Sequence, residues 1–249
     1  MRLTDFFHRH SKAALAFSGG ADSAYLLYAA VRCGADVRPY FVRSAFQPDF
    51  ELEDARRLAR QLETELTVLP VDILALPEVA ANPPERCYHC KRAILSAVAA
   101  AGSRDGYSLL LDGTNASDAE DGRPGMRALR ELEVRSPLRE CGLTKEEIRR
   151  LSREAGLFTW DKPAYACLAT RVPAGTAITA QDLKRTETAE NYLFSLGLRD
   201  IRVRLLDGCA RVQVPAAQFS RVLEHRTEII AGLGRHYTGV LLDLEARDE

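Results

Sequence analysis

Two cysteines three residues apart in "ERCYHCK", and a third far along the chain in "YACLATR", offer the most distinctive chemistry in this sequence. Cys87 and Cys90 can place two thiolates on one metal ion or cluster, or close a redox disulfide. A zinc ion would want a fourth ligand, and His89, lying inside the loop, is poorly placed to supply it. A cubane cluster held by three cysteines would keep one iron open for hydrosulfide or a substrate. The plainer reading is a pair of small buried residues at the start of a helix. Cys167, close to Arg171 and the Gly175 turn, reads as a loop residue, whereas Cys33, Cys141 and Cys209 sit in apolar or turn contexts and read as fillers.

A second candidate is "SGGADS" at 18–23, directly after the apolar run "AALAF". Gly19 and Gly20 let the backbone bend and approach a ligand. Ser18 and Ser23 offer hydroxyls, and the helix that follows presents free N–H groups at its positive end. Together these make an anion cradle. The usual phosphate loop carries a lysine for the outer phosphates; this one does not. Neutral donors suit departure of pyrophosphate as a unit, leaving an adenylylated substrate, and Asp22 could help to hold Mg²⁺. A simple glycine turn between strand and helix is the alternative.

A third candidate is basic. With Asp207-Gly208 as a two-residue hairpin turn, Arg204 faces Arg211 and Arg202 faces Gln213, all on one side of the ribbon. Ile201, Val203, Leu205, Ala210, Val212 and Val214 share the other side, because side chains alternate along a strand. Like charges directly opposite are unfavourable. A bound phosphate would reverse that cost; a solvated face partnered by Glu187 or Glu190 would also do so.

The elements that must position these groups follow from periodicity. Ala13–Phe17, Val37–Val42, Leu66–Val71 and Ser108–Leu111 read as strands. Between them Ala24–Arg32, Phe50–Leu62 and about 90–101 read as helices. Thr144 to Glu147 is a capping box that opens a helix ending at Gly156. Alternating strands and helices predict a parallel sheet covered on both faces, with ligands beyond the carboxyl ends of its strands. After "VPAGTAIT" a smaller α+β unit is expected: a helix from about Leu183 to Leu196, the hairpin, mainly helical 216–233 and a strand at Val240–Leu244.

The chain has 249 residues, enough for a large domain plus a small one, and a net charge of -1, which gives no field to gather nucleic acid or membrane. No apolar run reaches the length of a membrane span, and the N-terminal stretch lacks the apolar core of a signal peptide. A cytoplasmic location is expected, where cysteines stay reduced and a close pair points to metal or redox chemistry.

"AFSGGADSAYLL" resembles the pyrophosphatase-type loop of the PP-loop family, and "LDGTNASD" at 111–118 resembles that family's second nucleotide-side segment. The resemblance implies a Rossmann-like ATP pyrophosphatase domain in which Ser18, Gly19, Gly20, Asp22 and Ser23 hold the phosphates of ATP with Mg²⁺, and Phe17 also belongs to the ATP site. Val42 and Arg43 would lie by the adenine, and Gly113 to Asn115 near the nucleotide. With "DGRPG" at 121–125, "KPAYACLATRVPAGTAIT" at 162–179 and "IRVRL" at 201–205, nearly the whole chain is similar to the LarE-type sulfur transferases. These act on pyridinium-3,5-biscarboxylic acid mononucleotide in building the nickel-pincer nucleotide cofactor.

That family uses two routes. In one, a cysteine of the enzyme gives up its own sulfur; in the other, three cysteines hold a [4Fe-4S] cluster that carries it. Cys167 is compatible with either, and the added pair Cys87 and Cys90 favours the cluster, with all three cysteines as metal ligands and catalytic residues. The resemblance further implies substrate contacts at Arg123, Arg171, Glu190, Arg202 and Arg204. It implies domains at 1–172 and 173–249, a sulfide or sulfur-donor partner, and homo-oligomers. A tRNA thiolase would need a broad basic surface, an ammonia-using ligase would need no cysteines, and a sensor would release no pyrophosphate.

Overall fold

In the run Lys12–Ala16, Ala13 and Leu15 are buried on one face of a strand and Ala14 on the other. A strand that is apolar on both sides has to be covered twice, as in a parallel sheet between helices. The computed structural model, which describes residues 1–118 and 124–247, has this architecture. Helix α1 (Leu3–Arg9) precedes β1 (Lys12–Ala16), α2 (Ala21–Arg32), β2 (Asp36–Arg43), α3 (Asp49–Gln61) and β3 (Thr67–Pro70). Then come α4 (Pro77–Ala80), α5 (Arg86–Arg104), β4 (Leu110–Leu111), α6 (Pro124–Glu131), α7 (Pro137–Glu140) and α8 (Lys145–Glu154).

The four strands are ordered β3-β2-β1-β4, and every pairing is parallel. From β1 the chain moves outward through β2 and β3, then returns to place β4 on the other side. Strand order therefore reverses between β1 and β4, and in open sheets of this kind a ligand crevice lies at the carboxyl ends beside such a reversal. One face of the sheet packs Leu15, Phe41, Leu26, Leu27, Leu58 and Ile148, with Phe6 and Phe7 of α1. The other packs Ala14, Tyr40, Val42, Leu95, Val98 and Leu129. Each fully buried side chain of this size contributes roughly 1.5–3 kcal/mol.

The four strands and the helices at 24–32, 50–62 and 90–101 expected from periodicity are present, with ends shifted by a few residues. Helix α5 begins earlier, at Arg86, so Cys87, His89 and Cys90 ride on its first turn and not in a loop. Thr144 caps α8 as its sequence predicts: its side chain accepts from Glu147 N, and its own N–H donates to Glu147 Oε2 at 3.0 Å.

The chain divides into two compact units, Met1–Ile73 with Glu85–Lys162, and Leu74–Pro84 with Pro163–Glu249. The second unit takes in a short early excursion that includes α4. Asn82 ties it down: its side chain donates to Pro173 O at 2.8 Å, and its carbonyl accepts from Gly175 N at 2.9 Å. The rest of this unit holds α9 (Ala180–Ser195), β5 (Arg202–Leu206), β6 (Cys209–Gln213), α10 (Phe219–Glu224), α11 (Arg226–Leu233) and β7 (Val240–Leu242). Thr179 caps α9 by accepting from Asp182 N. Strands β5 and β6 form the expected hairpin in the expected register, with Arg204 opposite Arg211 and Arg202 opposite Gln213. Strand β7 then joins β6 in parallel, making a small mixed sheet. The helical stretch 216–233 is broken at His225, between α10 and α11. No helix among the described residues is long and apolar enough to cross a membrane.

Candidate functional site

Strand β1 delivers the chain to the loop at the carboxyl edge of the sheet. Phe17, buried, keeps the ladder going by donating to Tyr40 O at 2.9 Å. Gly19 then turns with φ +72°, and a Cβ placed there would meet the Glu51 carbonyl oxygen at 3.1 Å. A side chain is excluded both by conformation and by the closeness of α3. Gly20 is the N-cap of α2. Its N–H donates to Ser18 Oγ at 3.3 Å, which lies 3.1 Å from Ser23 Oγ, and Ser23 Oγ in turn donates to Gly20 O at 3.3 Å. The donors expected to grip phosphate are thus gathered at the start of a helix, where the dipole favours an anion.

The second nucleotide-side segment follows β4, the neighbour of β1, and the two motifs touch. A Cβ on Gly113 would lie 2.9 Å from Ser23 N and 3.1 Å from its Cα, so only glycine lets the two backbones approach this closely. Asp112 fixes the segment from beneath: it is buried, accepts from Thr114 N and from Ser136 Oγ at 2.6 Å, and pairs with Lys91 Nζ at 3.4 Å. Asn115 and Asp118 complete a turn in which Asn115 N donates to Asp118 Oδ2 at 3.0 Å. Asp22 lies against this turn. Burial pushes its carboxyl upward, a hydrogen bond from Asn115 opposes that, and the charge of Asp118 adds to the rise. A half-buried carboxylate with a second carboxylate beside it is a place where a divalent cation is favourable.

Val42 and Arg43 end β2, next to β1 in the sheet. Val42 is buried in the core, and Arg43 is turned onto α3, where it pairs with Asp49 and donates to Gln47 O at 2.7 Å. Sequence reading missed Lys162. This residue, 143 positions after Gly19, donates from Nζ to Gly19 O at 3.3 Å and pairs with Asp54 Oδ2 of α3 at 2.7 Å. The "KPAYAC" segment that it opens was the available signal; nothing marked Asp54.

The three cysteines are divided between the units. Cys87 is exposed and Cys90 half-buried on the first turn of α5, so neither fills the core. Spaced i, i+3, they share one side of the helix. Arg86 Nη2 is 3.7 Å from Cys87 Sγ. Cys167, half-buried, caps a short 3-10 turn, Leu168–Arg171, in the second unit. Its carbonyl accepts from Thr170 N at 3.0 Å and Arg171 Nη1 at 3.3 Å. Among the described residues no three His, Cys, Asp or Glu side chains are gathered as a metal-holding group. The accessible thiol pair beside a guanidinium fits two ligands of a cluster. By contrast, burial pushes the thiols of Cys33 and Cys141 upward, which suits their role as fillers.

Arg171, Glu190, Arg202 and Arg204 come together in the second unit. Arg171 and Glu190 are fully buried and bound through two contacts, Nε to Oε1 at 2.8 Å and Nη2 to Oε2 at 3.0 Å. Burial works against the Arg171 charge, but Glu190 outweighs it and the guanidinium is held above its ordinary range. Glu190 Oε1 also accepts from Val203 N at 2.8 Å, and Tyr165 donates its hydroxyl to Oε2. The Tyr165 ring lies 4.6 Å from Arg171 and 4.8 Å from Arg202, and burial followed by the Glu190 charge pushes its own hydroxyl pKa upward.

Arg202, also buried, donates to Ile201 O and Ala164 O and pairs with Asp200. Arg204 donates to Thr170 O at 2.6 Å and to Gln213. Facing Arg204, Arg211 has Asp243 at 3.5 Å as its partner, a role the sequence had offered to Glu187, Glu190 or a bound anion. Burial first, then neighbouring guanidinium groups, lowers Arg202 to about 10 and shifts Arg204 in the same direction. Such crowded, desolvated cations are stabilised by a phosphate. Arg123 lies outside the described residues.

No family model matches the chain. It is 36% identical over 225 residues to a protein of Synechocystis sp. named only as uncharacterized, covering 89% of this chain and 83% of that one. A protein of Methanocaldococcus jannaschii, also named as uncharacterized, is 28% identical over 222 residues, with 89% and 84% covered. The pyridinium-3,5-bisthiocarboxylic acid mononucleotide synthase of Lactiplantibacillus plantarum is 33% identical over 235 residues, 92% of this chain and 84% of the relative. The glycine loop, the segment packed on it and the arginine-lined hairpin thus occur in a chain that is similar over most of its length to this synthase, and the chain belongs to the LarE-type sulfur transferase family.

Proposed function

We propose that this protein is an ATP-dependent sulfur transferase that converts carboxylates of pyridinium-3,5-biscarboxylic acid mononucleotide into thiocarboxylates, as a step in making the nickel-pincer nucleotide cofactor. The name of the L. plantarum relative supports the product class. The observation that carries the ATP-using half is the packing of Gly113 onto Ser23, which joins both nucleotide-side motifs beside the strand-order reversal of a parallel sheet.

In this reading, Gly19, Gly20, Ser18 and Ser23 bind the β- and γ-phosphates of ATP through neutral donors. Asp22, with Asp118, would hold Mg²⁺, which would supply positive charge against the phosphates. The backbone at the end of β2, at Val42 and Arg43, flanks the adenine, since both side chains are engaged elsewhere. A carboxylate oxygen of the substrate attacks the α-phosphorus, the bond to the bridging α–β oxygen breaks, and pyrophosphate leaves. A sulfur nucleophile then adds to the acyl carbon. The C–O bond to the adenylate breaks, and AMP departs with the former carboxylate oxygen. Donors that hold the outer phosphates without being consumed stabilise the leaving group as it forms.

Arg202 and Arg204 dock the phosphate of the substrate. The Arg171–Glu190 pair, with Tyr165, fixes the hairpin and the Cys167 turn around them; removing one partner of such a buried pair costs about 3–5 kcal/mol. Cys87, Cys90 and Cys167 would be the ligands of a [4Fe-4S] cluster, and the chemistry such a group would supply is the sulfur nucleophile, drawn from sulfide or a sulfur donor.

Incubating the anaerobically purified protein with ATP, Mg²⁺, sulfide and the dicarboxylate nucleotide tests the reading. Pyrophosphate and a product heavier by one sulfur-for-oxygen exchange are expected together by phosphate assay and mass spectrometry. ADP and orthophosphate as the nucleotide products, or no release dependent on the carboxylate substrate, would overturn it.

A further inference from the structure

The loop at 18–23 has no lysine of its own, yet an ammonium reaches it from a distant part of the chain. Lys162 Nζ donates to the Gly19 carbonyl at 3.3 Å and to Asp54 Oδ2 at 2.7 Å, and its side chain is only 15% exposed. The ring of Phe50 lies 5.4 Å from the same nitrogen. The lysine backbone is itself held: Arg149 of α8 donates to Lys162 O at 2.8 Å and to Trp160 O at 2.9 Å. A continuous set of contacts therefore runs from α8 through Arg149 and Lys162 to the loop, and through Asp54 to α3.

The atom that Lys162 grips matters. A peptide unit is planar and trans, so the Gly19 carbonyl and the Gly20 N–H point in opposite directions. Holding the carbonyl fixes the direction of the N–H, which here faces Ser18 Oγ inside the loop. Gly19 has φ +72° and no side chain, so the local restraint on this peptide is weak, a 3.3 Å contact from Gly20 N–H to Ser18 Oγ. A rotated peptide would turn a carbonyl oxygen toward an arriving phosphate. The ammonium both prevents the rotation and offsets the negative end of the carbonyl dipole.

We infer that Lys162 is a positioning residue of the nucleotide site: pinned by Asp54 and Arg149, it locks the Gly19–Gly20 peptide with its N–H directed at the phosphates. The inference rests on the ATP-using function proposed above and adds to it a residue that acts on ATP through the backbone.

The test is calorimetric titration with Mg²⁺ and α,β-methylene-ATP, whose α–β bridge cannot be cleaved, on the full chain and its variants. Lys162→Met is expected to weaken binding about tenfold, the scale of one charge-assisted hydrogen bond. Lys162→Arg should recover most of the loss. Asp54→Asn should weaken binding less, and the double variant Asp54→Asn/Lys162→Met no more than Lys162→Met alone, since both act through one contact. In turnover the KM for ATP should rise while kcat at saturating ATP stays within about twofold, as for a lost binding contact.

Lys162→Met binding within twofold of the wild type would overturn the role given to Lys162, as would Lys162→Arg behaving like Lys162→Met, or additive losses in the double variant. Wild-type protein that binds no nucleotide would overturn the functional reading itself. Urea midpoints for each variant separate a local effect from a loss of fold: the Asp54→Asn and Lys162→Arg results decide the question even if Lys162→Met is unstable.

Discussion

Asp22 is a residue whose ionisation the fold resists. Burial holds its carboxyl above the ordinary 3.8 despite the relief offered by Asn115, Lys145 and Arg149, and the charge of Asp118 adds a smaller rise. Above its folded pKa the ionised carboxylate subtracts from stability. Below the unfolded value both states are protonated and the penalty is gone. Asp22→Asn should therefore raise the urea midpoint of the nucleotide-free protein at pH 7, and the gain should shrink as the pH falls toward 3.8. The same variant should lose Mg²⁺-dependent pyrophosphate release, because the strained charge is what the cation relieves. Parallel stability curves across the pH range, or a destabilised variant at pH 7, would count against this account. Gly113 makes a similar point sterically: the sequence offered it as a nucleotide-side residue, and the structure shows that its missing Cβ lets one motif sit on the other.

At the scale of elements, α8 links local sequence to the site. Its capping box was written in Thr144 and Glu147, and both bonds of that box form. Its fifth residue, Arg149, then reaches the backbone of Trp160 and Lys162. Thr144→Ala should cost about 1 kcal/mol, the usual value of an N-cap side chain. Urea unfolding measures it, and affinity for ATP should change little, since the rest of α8 stays packed through Ile148. The hairpin β5–β6 was equally legible, because a two-residue Asp-Gly turn fixes register and register fixes faces. Its apolar face is buried as expected. The partner of Arg211 was not legible: Asp243 arrives on the segment after β7, whose pairing with β6 no local pattern encodes.

At the scale of the molecule, the proposed cluster takes its ligands from segments far apart in the chain, Cys87 and Cys90 at the start of α5 and Cys167 before a 3-10 turn. Each of Cys87→Ser, Cys90→Ser and Cys167→Ser should lower the iron bound after anaerobic reconstitution and abolish thiocarboxylate formation. Pyrophosphate release should survive, since the adenylating residues belong to separate elements. Iron and sulfide analysis with visible absorption checks this; undiminished iron in the Cys87 and Cys90 variants would remove the pair from the metal site. The excursion 74–84 shows how a unit is assembled from distant segments, held by the Asn82 contacts to 173 and 175.

Periodicity, capping residues and turn chemistry sufficed for the strands and most helices, because those preferences act over a few residues. They were enough to propose a parallel sheet, a nucleotide loop at its carboxyl edge and an arginine-bearing hairpin. Helix α1 went unread because its seven residues hold a single apolar repeat, Leu3 with Phe6 and Phe7, whose burial depends on the core they cover. Which groups meet was decided by tertiary structure: Ser23 against Gly113, Lys162 on Gly19, Glu190 bound to Arg171. A sequence states the chemistry each side chain can perform. Only packing brings groups more than a hundred residues apart within the few ångströms over which hydrogen bonds and ion pairs act.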